Sequence, residues 1–390
     1  MKKLLFPVMI ISFVLLCGSC GLSKRERTDI GETERMNDSI RRENDLGIRA
    51  EAIADSILAR MTLEEKAAQL MMPALFSRDD AYTLKVLGEY GKKGVGGVVL
   101  LKGDSESARH LSDSLSKASA VIPFISIDAE WGLGMRLSDE PVYPVNSEVG
   151  KVATEEEMFR YGALVARQCR EIGINMVLGP VLDVADSTSF MGRRSYGADP
   201  VRVSDLAVAY ARGLESEGVM SVAKHFPGHG AATGDSHKKK PVVERTLHQM
   251  DSIDLYPFKK YIESGLSAVM VGHLAVPAID PEMRPAAVSP TVINRLLVKD
   301  LGFDGLILTD ALNMGGAEGN GADKAIEAGA NMILAPVKTD SEIKRVVEAV
   351  SKGEIKEEEL DGKVRKILFY KALMMLRRQK NKEKENKEKE

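Results

Sequence analysis

Apolar residues fall into eight short runs, at positions 70–72, 95–101, 124–127, 175–182, 220–223, 268–272, 306–309 and 331–334, with longer segments between them. Val, Ile and Leu fill most of these runs without polar alternation, the pattern of parallel strands buried on both faces. The intervening segments predict helices, among them 154–172, 200–217, 247–264, 290–301 and 323–328. Thr62, three residues before Glu65, forms a capping box that opens a further helix near the start of the folded sequence. Strand and helix therefore alternate, and eight such units predict an α/β fold, a TIM-like (β/α)8 barrel in one domain.

The polar residues that end these runs support the same arrangement. Asp128 ends the third run, Asp183 the fourth, Lys224 and His225 the fifth, His273 the sixth and Asp310 the seventh. In a barrel those ends open on one face, whereas a doubly wound open sheet would collect them at one switch point. The densest chemistry follows the fifth run, in KHFPGHGAATGDSHKKKP (224–241), which holds three His, one Asp and three Gly. The glycines at 228, 230 and 234 cannot continue a helix, so the segment is a long loop leaving a strand end, where function concentrates. Asp310 is a carboxylate offered by the otherwise apolar GLILTDALNMGG. A lone anion there is costly, so it needs cationic or hydrogen-bonding partners, for which Lys224, Arg136 and Arg194 are candidates.

Composition changes this picture only at the ends. The chain has 390 residues, 44% hydrophobic, and a formal net charge of −3, which gives no footing to nucleic-acid binding. At the N-terminus, Lys2 and Lys3 precede an apolar run at 4–16 and then Cys17, Gly18, Ser19 and Cys20. The run is too short to span a bilayer and reads as a signal peptide over 1–19. Gly18-Ser19-Cys20 resembles the lipobox of bacterial lipoproteins, which implies a lipid on Cys20. Residues 20–49 read as a polar tether, 50–378 as the folded domain and 379–390 as a charged, disordered tail. Cys169 is then the lone thiol of the domain, on a helical segment, and is expected to pack as a buried apolar group.

The motifs IDAEWGLGMR (127–136), GPVLDV (179–184), GRRSYG (192–197), KHFPGHG with DSH (224–230 and 235–237) and TDALNMGG (309–316) occur in this order. Together they resemble the bacterial β-N-acetylhexosaminidase branch of glycoside hydrolase family 3, over roughly positions 61–367. The resemblance implies a single catalytic (β/α)8 domain. Its activity would be removal of terminal, non-reducing β-linked N-acetylglucosamine, with retention, from cell-wall muropeptides or chitin-type oligosaccharides. On matching positions it implies Asp310 as nucleophile and His237 as acid/base. Asp128, Arg136, Arg194, Lys224 and His225 match sugar-binding positions. Two departures concern specificity: Ala311 follows the nucleophile where many relatives carry a second acidic residue, and Lys238, Lys239 and Lys240 make the loop basic.

The residues agree with these roles. Retaining hydrolysis needs an ionised carboxylate and a group that first gives and then takes a proton. A His titrates near working pH, and Asp235, two residues before His237, can hydrogen-bond the ring and favour its protonated form. His225 reads as a sugar ligand, His229 as a group that fixes the loop and Asp183 as a support behind the site. No cofactor, metal or nucleic acid is called for. The expectation is a monomeric bacterial enzyme, anchored at Cys20, periplasmic or at the cell surface. The rivals are a glycoside phosphorylase or β-glucosidase of the same family and, more distantly, a metal-dependent barrel hydrolase using His225, His229, His237, His273 and Asp128. A non-enzymatic sugar-binding protein is disfavoured by the presence of both Asp310 and His237.

Overall fold

All eight apolar runs contain parallel strands in the computed structural model, which describes residues 44–233, 241–317 and 320–387. The first run extends beyond expectation and divides at Pro73, which has no N–H for a ladder, into β1 (Met71–Met72) and β2 (Ala74–Ser77). The others give β3 (Gly97–Gly103), β4 (Phe124–Ile127), β5 (Met176–Val177), β6 (Met220–Phe226), β7 (Ala268–Val271), β8 (Leu306–Thr309) and β9 (Ile333–Leu334). Strands β2 to β8 form one parallel sheet in chain order, and β1 pairs with β9, also in parallel. The sheet curls: Thr309 N–H donates to Met332 O at 3.0 Å, and Val99 N–H to Pro73 O at 2.9 Å.

Successive strand residues point to opposite faces, which explains the unbroken apolar runs. Val98, Ile125, Ile127, Val177, Val269, Val271 and Ile307 belong to one buried cluster, with side chains of helices Glu155–Glu171 and Pro200–Ser216. Val99, Met176, Met220, Val222, Met270, Leu306 and Leu308 belong to a second. The two helices touch backbone to backbone at Gly162 and Gly213, where an added Cβ would lie 2.1 Å from Tyr210 O and Phe159 O respectively.

Helix starts follow the sequence. Thr62 and Glu65 form the expected capping box, and Thr154 with Glu157 and Thr246 with Gln249 form two more. The segment expected as one helix over 247–264 is one turn at Leu247–Gln249, a wide π-helical turn at Met250–Asp254 and a regular helix at Leu255–Glu263. The wide turn sends the Asp254 side chain inward. Helix Glu357–Lys387 runs into the segment expected as a disordered tail, in keeping with the helix propensity of its Lys and Glu. Cys169 is fully buried, as expected. Contacts divide the chain into units 1–49 and 50–390, and among the described residues no helix is long and apolar enough to cross a membrane.

Candidate active site

The C-terminal ends of the strands deliver their polar residues to one cavity of about 410 Å³. Asp128 directly follows β4, and Glu130, two positions on, returns to the same side. The β6–β7 pairing shifts register between Ala223 and Phe226, and Lys224 and His225, joined by a cis peptide, both line the cavity. Arg136 follows a short 3-10 turn at Leu133–Met135, and Asp310 lies immediately beyond β8.

Three cations and two carboxylates interlock at one wall. Lys224 Nζ donates to Asp128 Oδ1 at 2.7 Å and meets Glu130 Oε1 at 2.8 Å. Arg136 Nη2 donates to Asp128 Oδ2 at 2.5 Å, while Arg194 grips Glu130 through Nε at 2.9 Å and Nη2 at 2.6 Å. Burial alone would raise both acids, but the opposing charges outweigh it. Lys224 and Arg136 hold Asp128 well below the usual carboxylate range, and Arg194 and Lys224 bring Glu130 to about 2. Burial without partners would be prohibitive here; five groups that satisfy one another make a rigid polar wall.

Behind the wall, Asp183 receives His225 Nδ1 at 2.7 Å and the His229 backbone N–H at 2.6 Å. Burial opposes its charge, yet the two histidines and the backbone donor bring its carboxyl to about 2. Asp310 faces the cavity. Burial again pushes its carboxyl up, but His225, His273, the Ala311 N–H and Lys224 together hold it below its ordinary value. Its Oδ1 accepts the Ala311 N–H at 2.8 Å, and Oδ2 accepts no hydrogen bond among the described residues. His273 Nε2 donates to the Asp310 carbonyl at 3.1 Å, steadying the backbone that carries the carboxylate.

Asp310, Asp128, Arg136, Arg194, Lys224 and His225 therefore meet in one cavity, whereas Asp235 and His237 lie outside the described residues. One expectation needs correction. The cations proposed as direct partners of Asp310 make their ion pairs with Asp128 and Glu130, because those carboxylates sit between them, and only Lys224 acts on Asp310, from a distance. Sequence reasoning missed Glu130, although its place two residues after Asp128 was the available signal. It also missed Phe190, a partly exposed aromatic at the cavity rim that packs on His229 with ring centroids 6.1 Å apart. Among the described residues, no group of three or more His, Cys, Asp or Glu is arranged to hold a metal ion.

Residues 62–369 match the model of the glycosyl hydrolase family 3 N-terminal domain. The chain belongs to this family. It is a glycoside hydrolase by that membership, and its relatives narrow the branch. It is 35% identical over 256 residues to a beta-hexosaminidase of Chromobacterium violaceum, covering 62% of this chain and 71% of that protein. It is 33% identical over 280 residues to a beta-hexosaminidase of Idiomarina loihiensis, covering 68% and 83%. Among solved structures, a family 3 beta-N-acetylglucosaminidase from Paenibacillus superposes with a TM-score of 0.75 at 32% identity, over 81% of this chain but only 63% of that one. A family 3 member from Mycobacterium smegmatis gives 0.72 at 30% identity, over 80% of this chain and 98% of that one.

Proposed function

We propose that the protein is a retaining exo-β-N-acetylglucosaminidase acting on terminal, non-reducing β-linked N-acetylglucosamine of muropeptides or chitin-type oligosaccharides. The observation that carries the chemistry is the condition of Asp310: a buried carboxylate kept ionised, with one oxygen held by a backbone N–H and the other open to the cavity. The Asp310 oxygen attacks the anomeric carbon as the glycosidic C–O bond breaks, and the leaving oxygen takes a proton from the acid/base. Water then cleaves the glycosyl-Asp bond, returning its proton to that group. His237, supported by Asp235, takes the acid/base role on the strength of its motif. The interlocked Asp128, Arg136, Lys224, Glu130 and Arg194, with His225, offer fixed donors and acceptors to sugar hydroxyls, and their rigidity favours preorganised binding.

The likeness to beta-hexosaminidases supports the N-acetyl sugar as the substrate class. We read the curled sheet and the β1–β9 pair as one eight-stranded barrel in a single catalytic domain. The backbone links from β8 to β9, from β9 to β1 and from Pro73 to β3 support that reading. The lipobox-like sequence before Cys20 supports an anchor at the bacterial membrane. The deciding experiment offers purified protein from residue 21 onward aryl β-N-acetylglucosaminide and aryl β-glucoside side by side, in phosphate and in a non-phosphate buffer. Hydrolysis of the first alone, independent of phosphate, is the expected result. Preference for the glucoside, or release of a sugar phosphate, would refute the assignment.

A further inference from the structure

His229 is buried to 3% exposure at the cavity wall, and neither Nδ1 nor Nε2 has a hydrogen-bond partner among the described residues. The backbone that carries the ring is pinned on both sides. Gly228 holds a φ of 122°, Asp183 takes the His229 N–H at 2.6 Å, and a Cβ at Gly230 would strike Val184 O at 1.9 Å. Phe190 packs against the ring at 6.1 Å between centroids, and His225 lies edge-on at 5.8 Å. A buried polar group without a partner is destabilising. A pinned imidazole at the cavity wall therefore carries a demand that no described residue meets.

The chemistry of that occupant follows from the surroundings. Burial, opposed by Asp183, keeps the ring neutral, so it offers one N–H and one bare nitrogen. An anionic group would find no charge on the ring, would face the Asp310 carboxylate, and would meet cations already engaged by Asp128 and Glu130. An apolar group would leave both nitrogens unmet. A hydroxyl satisfies either, donating to the bare nitrogen or accepting from the protonated one.

We propose that His229 is a sugar-contacting specificity residue that hydrogen-bonds one hydroxyl of the glycosyl unit attacked by Asp310. The inference rests on the glycosidase reading above and adds to the pocket a contact that the loop-fixing role does not provide. The fixing is done by the backbone N–H, which any residue supplies, and the ring is left over for the ligand.

The test measures competitive inhibition by N-acetylglucosamine and its 3-, 4- and 6-deoxy analogues on the wild type, His229→Leu and His229→Gln, alongside thermal unfolding. In His229→Leu, N-acetylglucosamine should bind at least about 10-fold more weakly, the loss expected of one buried hydrogen bond. One deoxy analogue, lacking the contacted hydroxyl, should bind the wild type and the variant alike. The Tm of His229→Leu should stay level or rise, since an unpartnered polar group has been removed, and His229→Gln should recover part of the affinity. Unchanged inhibition by all four sugars would overturn the proposal, as would equal losses on all four with a lowered Tm, which describes a structural residue. If His229→Leu does not fold, the same deoxy comparison on His229→Gln decides. A wild type inhibited by glucose and not by N-acetylglucosamine would fail the substrate reading instead, and the corresponding deoxyglucose series would then decide the role of His229.

Discussion

His225 Nδ1 lies 2.7 Å from Asp183 Oδ2, and both side chains are almost fully out of solvent. On the other edge of the ring, Arg194 Nη2 lies 3.3 Å from Nε2. A guanidinium can only donate, so Nε2 accepts and Nδ1 carries the proton that Asp183 receives. The pair thus fixes both the orientation and the tautomer of a residue that faces the cavity.

Asp183→Asn removes that control. The single amide oxygen would have to serve the His225 ring and the backbone N–H groups of His225 and His229, all of which Asp183 now accepts. We expect kcat/KM to fall by about 10- to 100-fold, the equivalent of one orphaned buried hydrogen-bonding group. The His225 ring nitrogens should shift in 15N NMR spectra. Unchanged ring shifts would mean that Arg194 alone sets the tautomer.

Glu130→Gln tests the interlocked wall through its pH dependence. The Glu130 carboxyl is held near 2 in the folded protein, below its ordinary value of 4.5, so its stabilisation is present above about pH 4.5 and lost as pH falls toward 2. The variant should therefore have a lower Tm than the wild type at pH 7, with a gap that narrows by pH 3. Breaking one member of a buried ion cluster costs about 3–5 kcal/mol at neutral pH. A gap independent of pH would show that the loss is packing rather than charge.

Much of this site was legible in the sequence, because a parallel sheet reports itself by unbroken apolar runs and each run ends where its polar residue must lie. Asp128, Lys224, His225 and Asp310 were located by that rule alone. What escaped were relationships between chain segments. Glu130 is separated from Arg194 by 64 positions, and nothing in either motif states that the two are paired. Asp254 was invisible for a local reason. It falls in an ordinary amphipathic pattern, and only the wide turn at Met250–Asp254 sends it inward beneath Gly228, where an added Cβ would lie 2.6 Å from its own. Burial then raises its carboxyl to about 7 despite Arg245 3.3 Å away.

The two catalytic assignments separate kinetically. Asp310→Ala should lower turnover by several orders of magnitude on every substrate, and a fluorinated sugar should label Asp310 in the wild type, as read by mass spectrometry. His237→Ala should spare an aryl leaving group, which departs with little proton assistance, far more than a sugar leaving group. Equal losses on both substrates would mean that the proton donor is another residue.

Lys371 carries the last prediction, and it concerns the N-terminal end of the strands, opposite the end that holds the cavity. Its side chain enters the core from helix Glu357–Lys387 with 3% exposure. Its Nζ donates to Gln69 Oε1 at 2.8 Å and stands 5.3 Å from the centre of the Phe124 ring. No carboxylate among the described residues compensates it, so burial depresses its pKa to about 7 from the ordinary 10.5. The unfolded chain then binds more protons than the folded one between those two values, and the stability of the folded state rises with pH across that window. Lys371→Met fills similar volume without a charge to desolvate. It should therefore gain most over the wild type near pH 6 and progressively less toward pH 9.5. Gln69 loses a partner in the variant, but that loss does not vary over this pH range, since the amide does not titrate. Thermal unfolding of both proteins between pH 6 and 9.5 should show the Tm difference shift steadily in favour of the wild type as pH rises. A constant difference would mean that Lys371 keeps its proton in the folded core.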